Sequence, residues 1–142
     1  MKVLVDTNVI LDIALDREPF VEYAALFLKT ARQRIIPLFM TATTVTDLYY
    51  ILRKERGKDI ALSFISDLLQ FVDVASVDKK VVIEALRSEI PDFEDAIQIF
   101  SAKQTAIETV VTRNEGDFAK SGLDVQNPKS FLQRLQVDIQ NG

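Results

Sequence analysis

No histidine and no cysteine occurs in the 142 residues of the chain, and each absence closes off chemistry. Ser-His-Asp and Cys-His nucleophilic machinery is excluded, and so are zinc sites built on nitrogen or sulfur. Acid–base or metal chemistry must therefore rest on oxygen ligands, and the cations that prefer carboxylate, carbonyl and water are hard ones such as Mg²⁺ or Mn²⁺. Nothing in the chain depends on an oxidising compartment. Long apolar runs are missing too. "MKVLVDTNVILDIAL" at the N-terminus is interrupted by Asp6 and Asp12, so it reads as neither a signal peptide nor a membrane span, and the expected setting is the cytoplasm. No Pro/Gly/Ser-rich linker, low-complexity tract or repeat divides the sequence. One domain over residues 1–142 is expected, large enough to bury about two thirds of its unfolded surface.

Basic charge is also short, with a net charge of −4. Phosphate contacts come from Lys and Arg, so a generally adhesive nucleic-acid binder is disfavoured. A local basic rim stays open. "RKERGK" (53–58) has two readings, such a rim or a solvated helix end with cations near its C-terminal dipole and Gly57 as the stop.

What is present is a regular alternation of short apolar runs and amphipathic stretches. "KVLVD" (2–6) reads as a strand buried on both faces. Phe20, Ala24, Phe27, Leu28 and Ala31 fall at helical spacing. "IIPLFMT" (35–41) is a second strand, in which Pro37 argues against a central position. Helices are expected over 44–56, ended by Gly57, and over 58–70. A strand near 71–75, a helix over 77–88 and a helix over 92–105 follow. "TVVT" (109–112) and "LDV" (123–125), the latter at an edge, are the last strands. Asn127 then caps a helix with Pro128 in its first position. Strands alternating with helices predict an α/β fold, a three-layer α/β/α sandwich around a mostly parallel sheet.

Ligands of open parallel sheets bind beyond the carboxyl ends of the strands. Asp6 sits at that edge after the first strand, and Asp117 in "TRNEGDF" after the fourth. Each also reads as an ordinary turn or cap residue, Asp6 with Thr7 and Asn8, Asp117 beside Gly116. Asp47 lies in the first turns of the 44–56 helix among Thr43, Thr44 and Thr46, where a helix-dipole role competes with a site role. In "PDFEDAIQIF" (91–100), Pro91 suits a first helical position. Asp92 and Asp95, three apart, share a helix face from which Glu94 points away. Two bare carboxylates about 4 Å apart repel by roughly 4 kcal/mol at an effective dielectric near 20. Four such groups on one rim would need a cation, and a divalent metal removes the conflict.

"VLVDTNVILD", "TVTDLYYIL", "DFEDAIQIF" and "VVTRNEGDF", in this order and spacing, resemble the PIN-domain nucleases, particularly the small VapC-type toxins. Any one motif is weak, but the ordered set is specific and spans essentially the whole chain. The resemblance implies a Mg²⁺- or Mn²⁺-dependent ribonuclease using one or two ions. It places the family's four acids at Asp6, Asp47, Asp95 and Asp117, with Asp92 as an additional acid of relatives sharing the "DFED" pattern. The second acid is more often Glu in the family, so Asp47 is shorter by one methylene. Asp6, Asp95 and Asp117 would hold metal, and Asp47 would orient or deprotonate a water. Thr7, Asn8, Thr112 and Asn114 match polar positions that hold the first acid or the phosphate. RNA would approach past Arg113, Lys103 or Arg53. A small antitoxin protein and a homodimer are implied as partners, by analogy alone. Two alternatives are a catalytically weak or inactive PIN scaffold that binds RNA or protein, and an aspartate-nucleophile phosphatase. Phosphatases of the haloacid-dehalogenase type carry a second Asp where this chain has Asn8.

Overall fold

The computed structural model describes residues 1–137. Its sheet has the order β3-β2-β1-β4-β5, formed by β1 (Val3–Val5), β2 (Leu38–Thr41), β3 (Val72–Ala75), β4 (Thr109–Val111) and β5 (Asp124–Gln126). Every pairing is parallel. β1 and β4 are buried at every position, as expected of strands covered on both faces. Successive side chains divide between those faces. Val3 and Val5 enter one core with Phe27, Leu48 and Phe131. Leu4 enters the other with Ile99, Ala102 and Phe118.

Helices α1 (Thr7–Ala14), α2 (Val21–Gln33), α3 (Ala42–Arg56), α4 (Lys58–Leu68) and α7 (Pro128–Arg134) supply the first core. The second face is covered by α6 (Phe93–Gln104), against which α5 (Lys79–Arg87) packs through Val81, Ala85, Ala96 and Ile97. This is the three-layer α/β/α sandwich that the alternating pattern predicts.

Three details differ from the sequence reading. α1 was not foreseen, because eight residues are too few for a period to show; Asp6 caps it, accepting from the Thr7 N–H at 2.8 Å. β2 is interior despite Pro37. The strand begins one residue later, and the Pro37 carbonyl accepts from the Val3 N–H at 3.0 Å, so the missing N–H costs the ladder nothing. Pro91 lies outside α6, whose cap is Asp92. As the sequence reading expected, Gly57, at φ 93°, ends α3 and starts α4, which leaves Arg53, Lys54 and Arg56 in a last helical turn. The 53–58 run is a solvated helix end.

Topology fixes where a site can lie. The chain builds β2 and β3 on one side of β1, then crosses to place β4 and β5 on the other. A crevice opens at the carboxyl ends of β1 and β4, where the winding reverses.

Candidate active site

Asp6 stands at that reversal point. Its backbone N–H donates to the Val111 carbonyl at 3.0 Å, which ties the end of β1 to the end of β4. The side chain is 4% exposed, a costly place for a carboxylate unless it is hydrogen-bonded. Three donors answer this. Oδ1 accepts from the Thr7 N–H at 2.8 Å and from Gln98 Nε2 at 3.0 Å; Oδ2 accepts from Thr112 Oγ1 at 2.8 Å. Burial still pushes the Asp6 carboxyl above its ordinary pKa, opposed by the bonds from Gln98, Thr112 and Thr7 and assisted by the charge of Asp117. Thr112 is wholly buried, and its oxygen also accepts from the Asn114 N–H at 3.0 Å. Of the two roles open to it, holding the first acid is the one its contacts show.

Threonines set the spacing to the next acid. Thr41 caps α3, and its hydroxyl meets that of Thr44 at 3.1 Å, which in turn meets Thr7 at 2.9 Å. The starts of α1 and α3 are thereby fastened side by side. Asp47, one turn into α3, projects into the same cavity as Asp6.

That cavity, of about 400 Å³, is lined by six carboxylates: Asp6, Asp47, Asp92, Glu94, Asp95 and Asp117. All four motif acids reach it, with Asp92 beside them. Asp92 is also a cap, accepting from the Asp95 N–H at 2.8 Å, so its helix-start role and its place on the rim coexist. Thr7, Asn8 and Asn114 line the cavity as well. Burial, then the charges of Asp92, Asp6 and Asp117, push the Asp95 carboxyl up to about 7.

Glu94 does not point away. It faces Asp47, and a hydrogen bond between the two carboxyls, followed by burial and the neighbouring charges, raises Glu94 to about 7. The first turn of α6 enters the rim end-on, so residues on two faces border one opening. Gln98 was also missed. It is 3% exposed, and its Oε1 is the one buried side-chain polar atom without a partner among the described residues. Its signal was a lone amide within the apolar run "AIQIF", four residues after Glu94 and three after Asp95, hence on the site side of the helix.

The three basic residues expected to meet RNA lie elsewhere than in this cavity. Arg113 is bound to buried Asp12 through Nε at 2.9 Å and Nη2 at 3.1 Å, with its guanidinium 4.1 Å from the Phe20 ring centre. Lys103 is in the last turn of α6, over Phe100, and Arg53 is in the last turn of α3.

Among the described residues, no three acids stand close enough to form a ready-made metal cage. Mutual repulsion works against so close a grouping, and it contributes to raising Glu94 and Asp95 to about 7. The donor set nevertheless fits a hard cation: it is all oxygen, carries excess negative charge, and contains an amide oxygen with no other partner.

The PIN domain family model matches residues 2–116. Ribonuclease VapC1 of Aquifex aeolicus (strain VF5) is 26% identical over 138 residues, 94% of each chain. Among solved structures, VapBC-1 from nontypeable Haemophilus influenzae superposes with a TM-score of 0.69 at 16% identity, covering 91% of this chain and 99% of that one. Mycobacterium tuberculosis VapC20, described as a sarcin-ricin loop cleaving toxin, gives 0.66 at 17% identity over 85% and 95%. At such identities the two structures speak for the fold alone.

Proposed function

This chain belongs to the PIN domain family, and from that premise we propose that it is a divalent-metal-dependent endoribonuclease, the toxin of a toxin–antitoxin pair. The observation that carries the reading is the single cavity at the carboxyl ends of β1 and β4, on which acids from four separate segments of the chain converge. The relative named ribonuclease spans nearly the whole length, and one structural neighbour is described as a toxin–antitoxin complex from Klebsiella pneumoniae, which supports a small antitoxin as partner. A homodimer is carried over from family likeness. No helix among the described residues is long and apolar enough to cross a membrane.

Asp6, Asp95 and Asp117 would hold Mg²⁺ or Mn²⁺, with Asp92 at the rim. Such an ion, when bound, lowers the pKa of a bound water and offsets charge on a scissile phosphate. The chain's own residues do the rest. Thr112, Gln98 and the Thr7 N–H fix both oxygens of Asp6 in place. Asp47 and Glu94 form a carboxyl pair with one member at about 7, the range in which a group can take a proton from water and return it to a leaving oxygen at neutral pH. Asn8 and Asn114 offer amide donors on the same wall to a phosphate oxygen. Asn8 stands where phosphatases of the haloacid-dehalogenase type carry a second Asp, which argues against the aspartate-nucleophile phosphatase.

The test pairs Mn²⁺ calorimetry with cleavage of a mixed RNA pool, for the native chain and Asp95→Asn. Loss of both in the variant supports the nuclease. The absence of a ready-made cage and the shorter Asp47 favour a second reading, the catalytically weak scaffold. Mn²⁺ binding without cleavage by the native chain would select it.

A further inference from the structure

A second cavity, of about 280 Å³, lies beside the acidic one and shares two of its walls. On α1, Leu11 faces the acidic cavity and Asp12 the second; on the loop after β4, Asn114 faces the acidic cavity while Arg113 and Glu115 face the second. This neighbour is built from aromatic rings and cations. Phe20 and Tyr23 line it, with Arg113 over Phe20 at 4.1 Å and Lys129 over Tyr23 at 5.6 Å. Asp12 accepts from Nε and Nη2 along one edge of the Arg113 guanidinium and so holds its plane fixed against the ring. The result is a flat, delocalised wall set in advance.

We infer that this cavity is a subsite for one unstacked nucleobase of the single-stranded RNA whose backbone crosses the acidic rim. The inference rests on the ribonuclease reading and deepens it. Flat aromatic and guanidinium surfaces are what unpaired bases stack on. Phe20 is 39% exposed and belongs to neither large core; its ring packs against the Arg113 guanidinium. Lys129, exposed at the mouth, meets the adjoining phosphate. The base is selected by Glu115, one of whose oxygens accepts from Asn127 Nδ2 at 2.8 Å. That bond orients a group that can only accept. Guanine offers imino and amino donors side by side to such a carboxylate; uracil offers one donor between two carbonyls that the carboxylate repels. Guanine is therefore the preferred occupant.

Guanosine and uridine 5′-monophosphates, titrated against the isotope-labelled chain in EDTA, give a readout independent of cleavage. Amide NMR shifts should centre on Phe20, Tyr23, Glu115 and Lys129, and guanosine monophosphate should bind more tightly. Phe20→Leu should weaken it by about 5- to 100-fold, the range base–aromatic stacking carries, Phe20→Trp should retain it, and Glu115→Gln should erase the preference for guanine. In parallel, cut sites in a randomised RNA pool should lose a guanine bias in Phe20→Leu. Shifts that fall elsewhere, or native cleavage with KM and cut-site preference unchanged in Phe20→Leu, overturn the subsite and leave the nuclease standing. Nucleotide shifts at the cavity in a chain that cuts no RNA do the reverse.

Discussion

Thr112 has one hydroxyl proton, and it goes to Asp6 Oδ2. Valine has the same shape without that donor, so Thr112→Val strips one of three hydrogen bonds from a buried carboxylate. We expect a loss of about 1–3 kcal/mol in chemical denaturation at pH 8, and a smaller loss as pH falls, because burial raises the Asp6 pKa and protonation removes the charge the hydroxyl stabilises. A loss independent of pH would show that the hydroxyl acts through the Asn114 N–H it accepts from and not through the Asp6 charge. Glu94 and Asp95 give a second prediction. Both are raised to about 7, from an ordinary range near 4. Between those limits the folded chain keeps protons that the unfolded chain has released, so stability is full at the acidic end and is lost as pH climbs through 7. In EDTA, Tm should fall from pH 5 to pH 8. Glu94 is exposed and Asp95 half-buried, so water screens part of the effect and keeps it modest. Saturating Mn²⁺ should flatten the profile by replacing the protons, and Asp95→Asn should flatten it in EDTA. Asp124, held at about 2 mainly by its hydrogen bond from Arg134, titrates below this window. A Tm that rises with pH in EDTA would contradict the account.

Helix ends show what four glycines in 142 residues mean for the elements. α1, α2, α6 and α7 each turn out of helix through a left-handed residue, and none of the four is glycine: Asp16, Ile35, Ala106 and Gln136 have φ of 53–60°. At the end of α2 the Ile36 N–H reaches the Ala31 carbonyl at 2.9 Å and the Ile35 N–H reaches Arg32 at 3.3 Å, the paired bonds of a Schellman turn. Ile35 carries a β-branched side chain through this geometry while 88% exposed, so strain is present and burial gives nothing back. Ile35→Gly should stabilise the chain by about 0.5–1 kcal/mol, because relief of about 1–2 kcal/mol of left-handed strain exceeds the extra entropy glycine loses on folding. An unchanged or lower denaturation midpoint would refute it. The same scarcity limited what could be read in advance. Gly57, and Asn127 with Pro128, marked their boundaries plainly, whereas helix ends without glycine carried no local signal. Glu94 was misread for a related reason: a helical face rule holds along a helix, not at an end that opens into a cavity.

Across the whole molecule, what the residues showed in order the topology brings together in space. Four motifs spaced over more than 100 positions were legible because each acid sits just after a strand or in the first turns of a helix, places that share one edge of any parallel sheet. The aromatic cavity was not legible, since Phe20, Arg113 and Asn127 meet only after β4 crosses to the far side of β1. The cations follow the same division. Arg113 is committed to Asp12, and Arg53 and Lys103 stand in last helical turns, so the rim that RNA would meet under the proposed function is negative on a chain of net charge −4. Affinity for RNA should then depend steeply on the divalent ion and weakly on monovalent salt. One or two direct phosphate contacts, Lys129 among them, correspond to a loss of about three- to tenfold in kcat/KM between 50 and 200 mM NaCl at fixed Mn²⁺, against about 10³-fold or more for a basic binder making six to ten. Measured initial rates across that range decide the matter. A steep loss would mean that a cationic surface guides the RNA, whereas a shallow one leaves that task to metal held by Asp6, Asp95 and Asp117 and to stacking in the neighbouring cavity.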